Sequence, residues 1–206
     1  EHPTAGIPGS SKNSRNAGNL YLSVESKFKV APKLEICIEA GFSQLKYINT
    51  ISYLDFATTQ YTETQLRLEL PVSLTFDFAK FGKFTAYSRT GLGAAYRISV
   101  SSTASLTPVD RNNSGSRTGE TLKRNDSRVP FDFFAQIGAG MKYKVPNGYF
   151  FAEVRTNLGM LEQNVPGGES VPLLEYYYLW RDPSFRLNDM NINLGFTYIF
   201  YKPSKK

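Results

Sequence analysis

The sequence predicts an all-β fold: an antiparallel up-and-down transmembrane β-barrel of the eight-strand type, with seven strands visible in the chain. Three observations predict it. Apolar and polar residues alternate with a period of two along most of the 206 residues, and helical periodicity scarcely exceeds two turns. Short and long connections follow one another between the alternating stretches. The polar side of the alternation carries glycines and charges of both signs, which suits a narrow interior.

The first stretch is Leu20–Val30, with Leu20, Leu22, Val24, Phe28 and Val30 on one face and Tyr21, Ser23, Glu25, Lys27 and Lys29 on the other. The second places Leu34, Ile36, Ile38, Ala40 and Phe42 opposite Glu35, Cys37, Glu39, Gly41 and Ser43. The third is the strongest. Leu66, Leu68, Leu70, Val72, Leu74, Phe76 and Phe78 face away from Gln65, Arg67, Glu69, Pro71, Ser73, Thr75 and Asp77. A fourth runs from Phe84 to Ile98, interrupted by Ser88 and Thr90 on its apolar face. Phe131–Tyr143, Phe150–Met160 and Ile192–Phe200 complete the set.

Ala31–Pro32, Lys80–Phe81–Gly82 and Pro146–Asn147–Gly148 supply tight turns. The stretches 44–62, 99–130 and 161–190 read as long outer loops, with Val171–Trp180 placed in a loop hairpin. Residues 1–18 read as an outer loop or flexible segment, 19–202 as the barrel domain and 203–206 as a tail. Single-chain bacterial barrels have an even number of strands. An eighth strand is therefore expected from upstream sequence, from another chain, or from a stretch assigned here to a loop.

Alternation alone leaves two orientations open. A soluble ligand-binding barrel turns its apolar face inward, and a membrane barrel turns it to lipid. The bulky Phe, Leu and Tyr side chains would overfill an eight-strand interior. Gly41, Gly91, Gly93, Gly138, Gly140, Gly159 and Gly195 on the other face suit a crowded concave side. The apolar-out orientation follows. It places Glu25, Glu39, Arg89, Glu153 and Arg155 inside at similar depth, as an ionic plug. Phe28, Phe76, Phe78, Phe81, Phe84, Tyr143, Tyr149, Phe150, Tyr198, Phe200 and Tyr201 gather near the short-turn ends as an interfacial girdle.

The last strand carries Asn193, Gly195, Tyr198 and Phe200 at the spacing of the assembly signal of outer-membrane barrels. Together with Leu68–Leu74, Gly91–Tyr96, Gln136–Tyr143 and Leu194–Tyr198, it resembles the PorT-like "porin family" of small outer-membrane barrels. The resemblance spans residues 20–202. It implies a barrel without an assigned activity, some members being linked to secretion.

Composition narrows the function classes. Hydrophobic residues make up 41% and charged residues 20%, which excludes collagen and full disorder. A net charge of +6, dispersed along the chain, does not point to nucleic acid. No apolar run reaches the roughly 18 residues of a membrane helix. A mean hydropathy of −0.33 is compatible with a membrane barrel, whose apolar band hides in the alternation.

The one cysteine, Cys37, excludes a disulfide scaffold and reads as a small interior filler. The one histidine, His2, stands outside every strand, so neither a metal site nor a Ser-His-Asp site is expected, and no cofactor. Gly91-Leu-Gly93 lies inside a strand with no helix after it, which removes a dinucleotide loop. Arg111, Arg117, Lys123, Arg124 and Arg128 mark one outer loop as a contact for phosphate or an acidic partner, or as a solvated loop. Tyr176, Tyr177, Tyr178 and Trp180 mark another as a partner-binding loop, or as a hairpin that packs on itself.

The function expected is therefore a non-enzymatic outer-membrane barrel of a Gram-negative bacterium. It would act as an anchor or partner in a cell-surface or secretion assembly, in contact with outer-membrane lipid. The alternative is a soluble barrel that binds a small hydrophobic ligand.

Overall fold

The computed structural model describes residues 10–53, 57–108, 115–119, 121–165 and 185–198, with side chains from Leu20 onward. It is almost wholly antiparallel β-sheet. Seven long strands follow the chain in order: β1 (Ser10–Ala31), β2 (Leu34–Tyr53), β3 (Ala57–Phe81), β4 (Phe84–Pro108), β7 (Phe131–Val145), β8 (Gly148–Glu162) and β9 (Arg186–Tyr198). Between β4 and β7 lie two short strands on β4, β5 (Arg117–Thr118) and β6 (Leu122–Lys123), and a 3-10 turn, Asn125–Ser127.

Side chains bring the sheet's distant strands together. Lys27 of β1 lies 5.0 Å from the ring of Tyr149 and 5.1 Å from that of Phe151, both on β8. Five strand spacings separate β1 from β8, about 24 Å if the sheet were flat. The sheet is therefore strongly curled. Its hydrogen-bonded ladder stays open between β9 and β1 among the described residues. Those two edges approach within 8 Å between Cα atoms. Both run toward the short-turn end, so they are parallel to each other.

The short connections stand where turn chemistry places them. Gly82 has φ +60°, which two-residue hairpin turns require and which glycine adopts without a Cβ clash. The other connections differ from expectation. Ser10–Gly18, read as loop, belongs to β1 and pairs with β2 from Ser10↔Tyr53 to Gly18↔Lys46. Nearly all of 44–62 is strand, leaving 54–56 between β2 and β3, so long and short connections do not strictly alternate. Residues 99–108 likewise extend β4. The loop reading of 10–18 and the start of the barrel at residue 19 therefore do not hold, while 1–9 and the 202 boundary lie outside the described residues. The expected hairpin at Val171–Trp180 and the 203–206 tail lie outside the described residues.

The physical reason is an inversion of hydrophobic phase along the strands. Near the short turns the convex face is apolar and exposed: Val24 is 78% exposed, Leu70 61% and Leu194 79%. Further along, the convex face becomes Thr58, Gln60, Thr62 and Thr64 on β3, and Ser101, Thr103 and Ser105 on β4. There the concave face becomes apolar, as Leu45, Tyr47, Tyr61, Ala104 and Leu187 form one buried cluster. On β4 a bulge between Arg97 and Ser99 shifts the register and carries out the change of phase. A reading that follows one phase ends each strand at this boundary.

The concave glycines accommodate rings. Gly140 faces Tyr87, Gly93 faces Phe134 and Gly195 faces Phe151 directly across the ladder, and the Tyr21 ring lies over Gly41. A Cβ on Gly93 would stand 2.6 Å from Cε2 of Phe134, a ring only 2% exposed. Gly93→Ala is expected to cost about 1–3 kcal/mol through overpacking. Denaturant unfolding checks this. Adding Phe134→Leu to the variant should recover part of the loss, and an unchanged midpoint for Gly93→Ala alone would contradict the packing.

Candidate functional site: a charged interior

The concave side of the sheet carries buried charge in layers. At its centre Arg89 of β4 meets three carboxylates. Its Nη2 reaches Glu25, Nη1 lies 3.2 Å from Glu39 and Nε 3.0 Å from Glu153. Arg155 of β8 stands 3.0 Å from Glu39 and 2.8 Å from Glu153. The structure thus brings together all five residues that the sequence placed in an ionic plug. Lys27 joins them, 2.7 Å from Glu25, and the Tyr87 hydroxyl donates to Glu153 at 2.8 Å. Three carboxylates face three cations.

The strands explain the geometry. Glu25 and Glu39 are register partners on β1 and β2, so two like charges stand side by side. A guanidinium fork reaching both resolves the repulsion, which a compact ammonium does less well. Across β4, β7 and β8, Arg89, Gly138 and Arg155 form one row. Gly138 leaves room between two long side chains that a larger residue would occupy.

Toward the short turns, Lys142 lies 2.9 Å from Glu35 and 2.8 Å from Asp77. Tyr149, expected in the outer girdle, belongs instead to this inner layer: Lys27 and Lys142 stand 5.0 and 5.3 Å from its ring centre. Beyond the centre, Arg67 lies 3.6 Å from Glu69 and 3.9 Å from Asp132.

A further cluster closes the far end. Glu63 accepts hydrogen bonds from Arg128 at 3.0 Å, Tyr61 at 2.6 Å and Gln65 at 2.7 Å. Arg124 donates to the Tyr61 hydroxyl at 2.9 Å, and Arg97 reaches the Val129 carbonyl and Gln163. Glu63, Tyr61 and the neighbouring Tyr47 lie past the apolar belt. Burial pushes the Glu63 carboxyl up, but the hydrogen bonds and charge of Arg128 outweigh it and hold the group below its usual range. Tyr47 is pushed well above its ordinary value by burial and then by the Glu63 charge.

This cluster revises the reading of the basic loop. Arg124 and Arg128 are buried inside the curl, while Arg117 and Lys123 are exposed. The segment 121–130 folds back over the interior, pinned where Asn125 Oδ1 accepts from the Val100 amide at 2.7 Å. The sequence missed Glu63, Gln65 and Arg128 as partners. The available signal was a carboxylate in step with Tyr61 and Gln65 at a period of two.

Cys37 is buried, with Sγ 3.7 Å from the Thr75 hydroxyl. Of the assembly-signal residues, Asn193, Gly195 and Tyr198 lie on β9, opposite Glu153, Phe151 and Gly148. Phe200, Arg111, the Tyr176–Tyr178 run, Trp180 and His2 lie outside the described residues.

The chain matches no protein-family model, no curated protein and no solved structure. The site is thus characterised by its own chemistry. The central carboxylates are saturated by fixed cations at 2.7–3.2 Å, and Glu39, Arg89, Glu153 and Arg155 are each at most 3% exposed. Such an arrangement fills space and fixes strands relative to one another. Among the described residues Glu39 and Glu153 are enclosed, and Glu25 is partly exposed.

Proposed function

We propose that this chain is a non-enzymatic outer-membrane β-barrel protein of a Gram-negative bacterium, its lumen plugged by its own side chains. It serves as an anchor or partner in a cell-surface or secretion assembly. One observation carries the reading: the exposure of the strands is reversed near the short turns, with apolar side chains outward and charges buried. Water outside would penalise that arrangement, and hydrocarbon outside favours it. The resemblance to PorT-like barrels belongs to the same proposal. So does an eighth strand running antiparallel to both β1 and β9, from further sequence or from another chain, which has to part the two edges from their approach within 8 Å to about 9.6 Å. It would satisfy edge groups that are costly to leave unpaired in lipid.

The soluble ligand-binding alternative requires an apolar cavity where the ionic layers stand. Two measurements test the proposal. The folded protein is expected to need detergent or lipid to stay monomeric, and to give no steady conductance in planar bilayers. A folded, detergent-free monomer would overturn the membrane reading. Stepwise open-channel currents would overturn the plug.

A further inference from the structure

We infer that the convex row Lys46, Thr64, Ser101 and Lys123, at the margin of the apolar belt away from the short turns, binds the headgroup of an acylated disaccharide that carries a phosphate at each end. The inference rests on the membrane reading above, with the short turns toward the periplasm and this margin in the outer leaflet.

The register sets all four residues in one line. Lys46 of β2 is the partner of Thr64 on β3, Thr64 of Ser101 on β4, and Ser101 of Lys123 on β6. Their neighbours along the chain, Leu45, Tyr47, Glu63, Gln65, Val100 and Ser102, are buried on the concave side. The row itself is therefore convex throughout, with both lysines exposed and both hydroxyl residues half-buried. Three strand spacings put the two lysine positions about 14 Å apart across the sheet.

The row is free of acids. Among the described residues, the convex positions beside it on β2, β3 and β4 are Gln44, Leu66 and Ser99 on one side and Ile48, Thr62 and Thr103 on the other. Asp126, in the 3-10 turn that follows β6, is exposed and makes no ion pair with Lys123.

The apolar belt begins at once on the short-turn side. Leu66 comes first, with Ile98 exposed at the β4 bulge beside it. Phe42, Leu68, Tyr96 and Phe131 then form one row across β2, β3, β4 and β7, the last two rings 5.1 Å apart. Polar row and apolar rows share the convex face, so one ligand touches both without crossing the sheet.

The chemistry of the row selects its ligand. Lysine binds phosphate as a point charge, and one stands at each end. Serine and threonine hydroxyls both donate and accept hydrogen bonds, as sugar hydroxyls do. A disaccharide with a phosphate at either end presents phosphate, hydroxyls and phosphate in the order of the row, and its acyl chains fall over Leu66, Leu68 and Phe42. A glycerophospholipid with one phosphate would engage a single lysine and leave the hydroxyls unused. A free anion would gain nothing from the apolar rows.

The test offers the detergent-solubilised protein equimolar bisphosphorylated and monophosphorylated lipid A of identical acyl chains and counts retained lipid by native mass spectrometry. Near an anionic membrane surface each lysine is worth about a five-fold change in affinity. The native chain is expected to favour the bisphosphorylated form by about five-fold. Lys46→Gln with Lys123→Gln should abolish that preference. Lys83→Gln with Lys144→Gln, which removes two exposed lysines at the opposite end, should leave it unchanged. Thr64→Val with Ser101→Ala should lower retention of both lipids. Cardiolipin, with two phosphates and acyl chains but no sugar, should be retained less than bisphosphorylated lipid A.

Equal retention of the two forms by the native chain would overturn the inference. So would a preference that survives loss of Lys46 and Lys123, or one that falls as far when Lys83 and Lys144 are lost. Cardiolipin held as well as bisphosphorylated lipid A, or retention unmoved by the hydroxyl variant, would overturn the assignment to a sugar headgroup. Displacement by millimolar inorganic phosphate would show a simple anion site and overturn it as well. Insertion of each protein into pure phosphatidylcholine vesicles is measured in parallel. A native chain that inserts there without lipid preference sinks this inference alone. One that stays folded in buffer and ignores vesicles sinks the membrane reading beneath it.

Discussion

Arg89→Met is expected to destabilise the folded protein by about 3–5 kcal/mol, the cost of stranding buried charge. In a chain of this size that corresponds to a fall in melting temperature of roughly 6–20 °C. The Arg89 side chain is fully enclosed and touches Glu25, Glu39 and Glu153. Its removal leaves three carboxylates to Lys27 and Arg155, with Glu25 and Glu39 still side by side in register. Methionine fills most of the volume, so the loss reports charge rather than cavity.

Thermal unfolding in detergent, followed by far-ultraviolet circular dichroism, is the measurement. Adding Glu25→Gln to the variant should recover part of the loss, because the two residues share one network. A variant that melts with the native protein would show that the centre of the plug carries no net strain when opened. Arg89→Lys separates charge from shape: it keeps the cation and loses the fork, so its loss should be the smaller one.

Much of this arrangement was legible in the sequence, for a definite reason. Between Leu66 and Phe78 every second residue is apolar, so register and facing follow from period alone, and Arg67 and Glu69 must share the other side. The same parity gathers Glu25, Glu39, Arg89, Glu153 and Arg155 on one face. Depth follows from counting along each strand from its short turn.

What period two could not carry was the change of environment along a strand. Between Phe42 and Leu45 the apolar positions move from the convex to the concave face. A strand read in one phase appears to end there, although its backbone pairing continues to Tyr53. Arg128 was illegible for a different reason. It lies on irregular chain, just past the 3-10 turn, where no periodicity fixes direction. Its place opposite Glu63 is set by a fold-back that also brings Val129 to Gln163. Tyr149 has the residue type and position of a girdle aromatic, but its place in the alternation sets it on the concave side with Lys27 and Lys142.

Leu70→Arg is expected to destabilise the protein in phospholipid vesicles by about 2–4 kcal/mol, the cost of a cation at the middle of a barrel's lipid face. Leu70 stands on the convex face midway along Leu66–Leu74, a nine-residue stretch of the length that spans hydrocarbon. Thr62→Arg is the internal reference. It lies eight residues away on the same strand and face, where the convex surface has already turned to Thr58, Gln60 and Thr64. Near or beyond the interface the same substitution should cost about 0–1 kcal/mol. A water-exposed convex face predicts the reverse ranking. There Leu70, already 61% exposed, would exchange for arginine within about 0.5 kcal/mol. The half-buried Thr62, flanked by Ile48 and Thr103, would then be the more sensitive position. Urea titration of both variants in vesicles decides between the two, because the ranking changes sign with the solvent that the apolar belt meets.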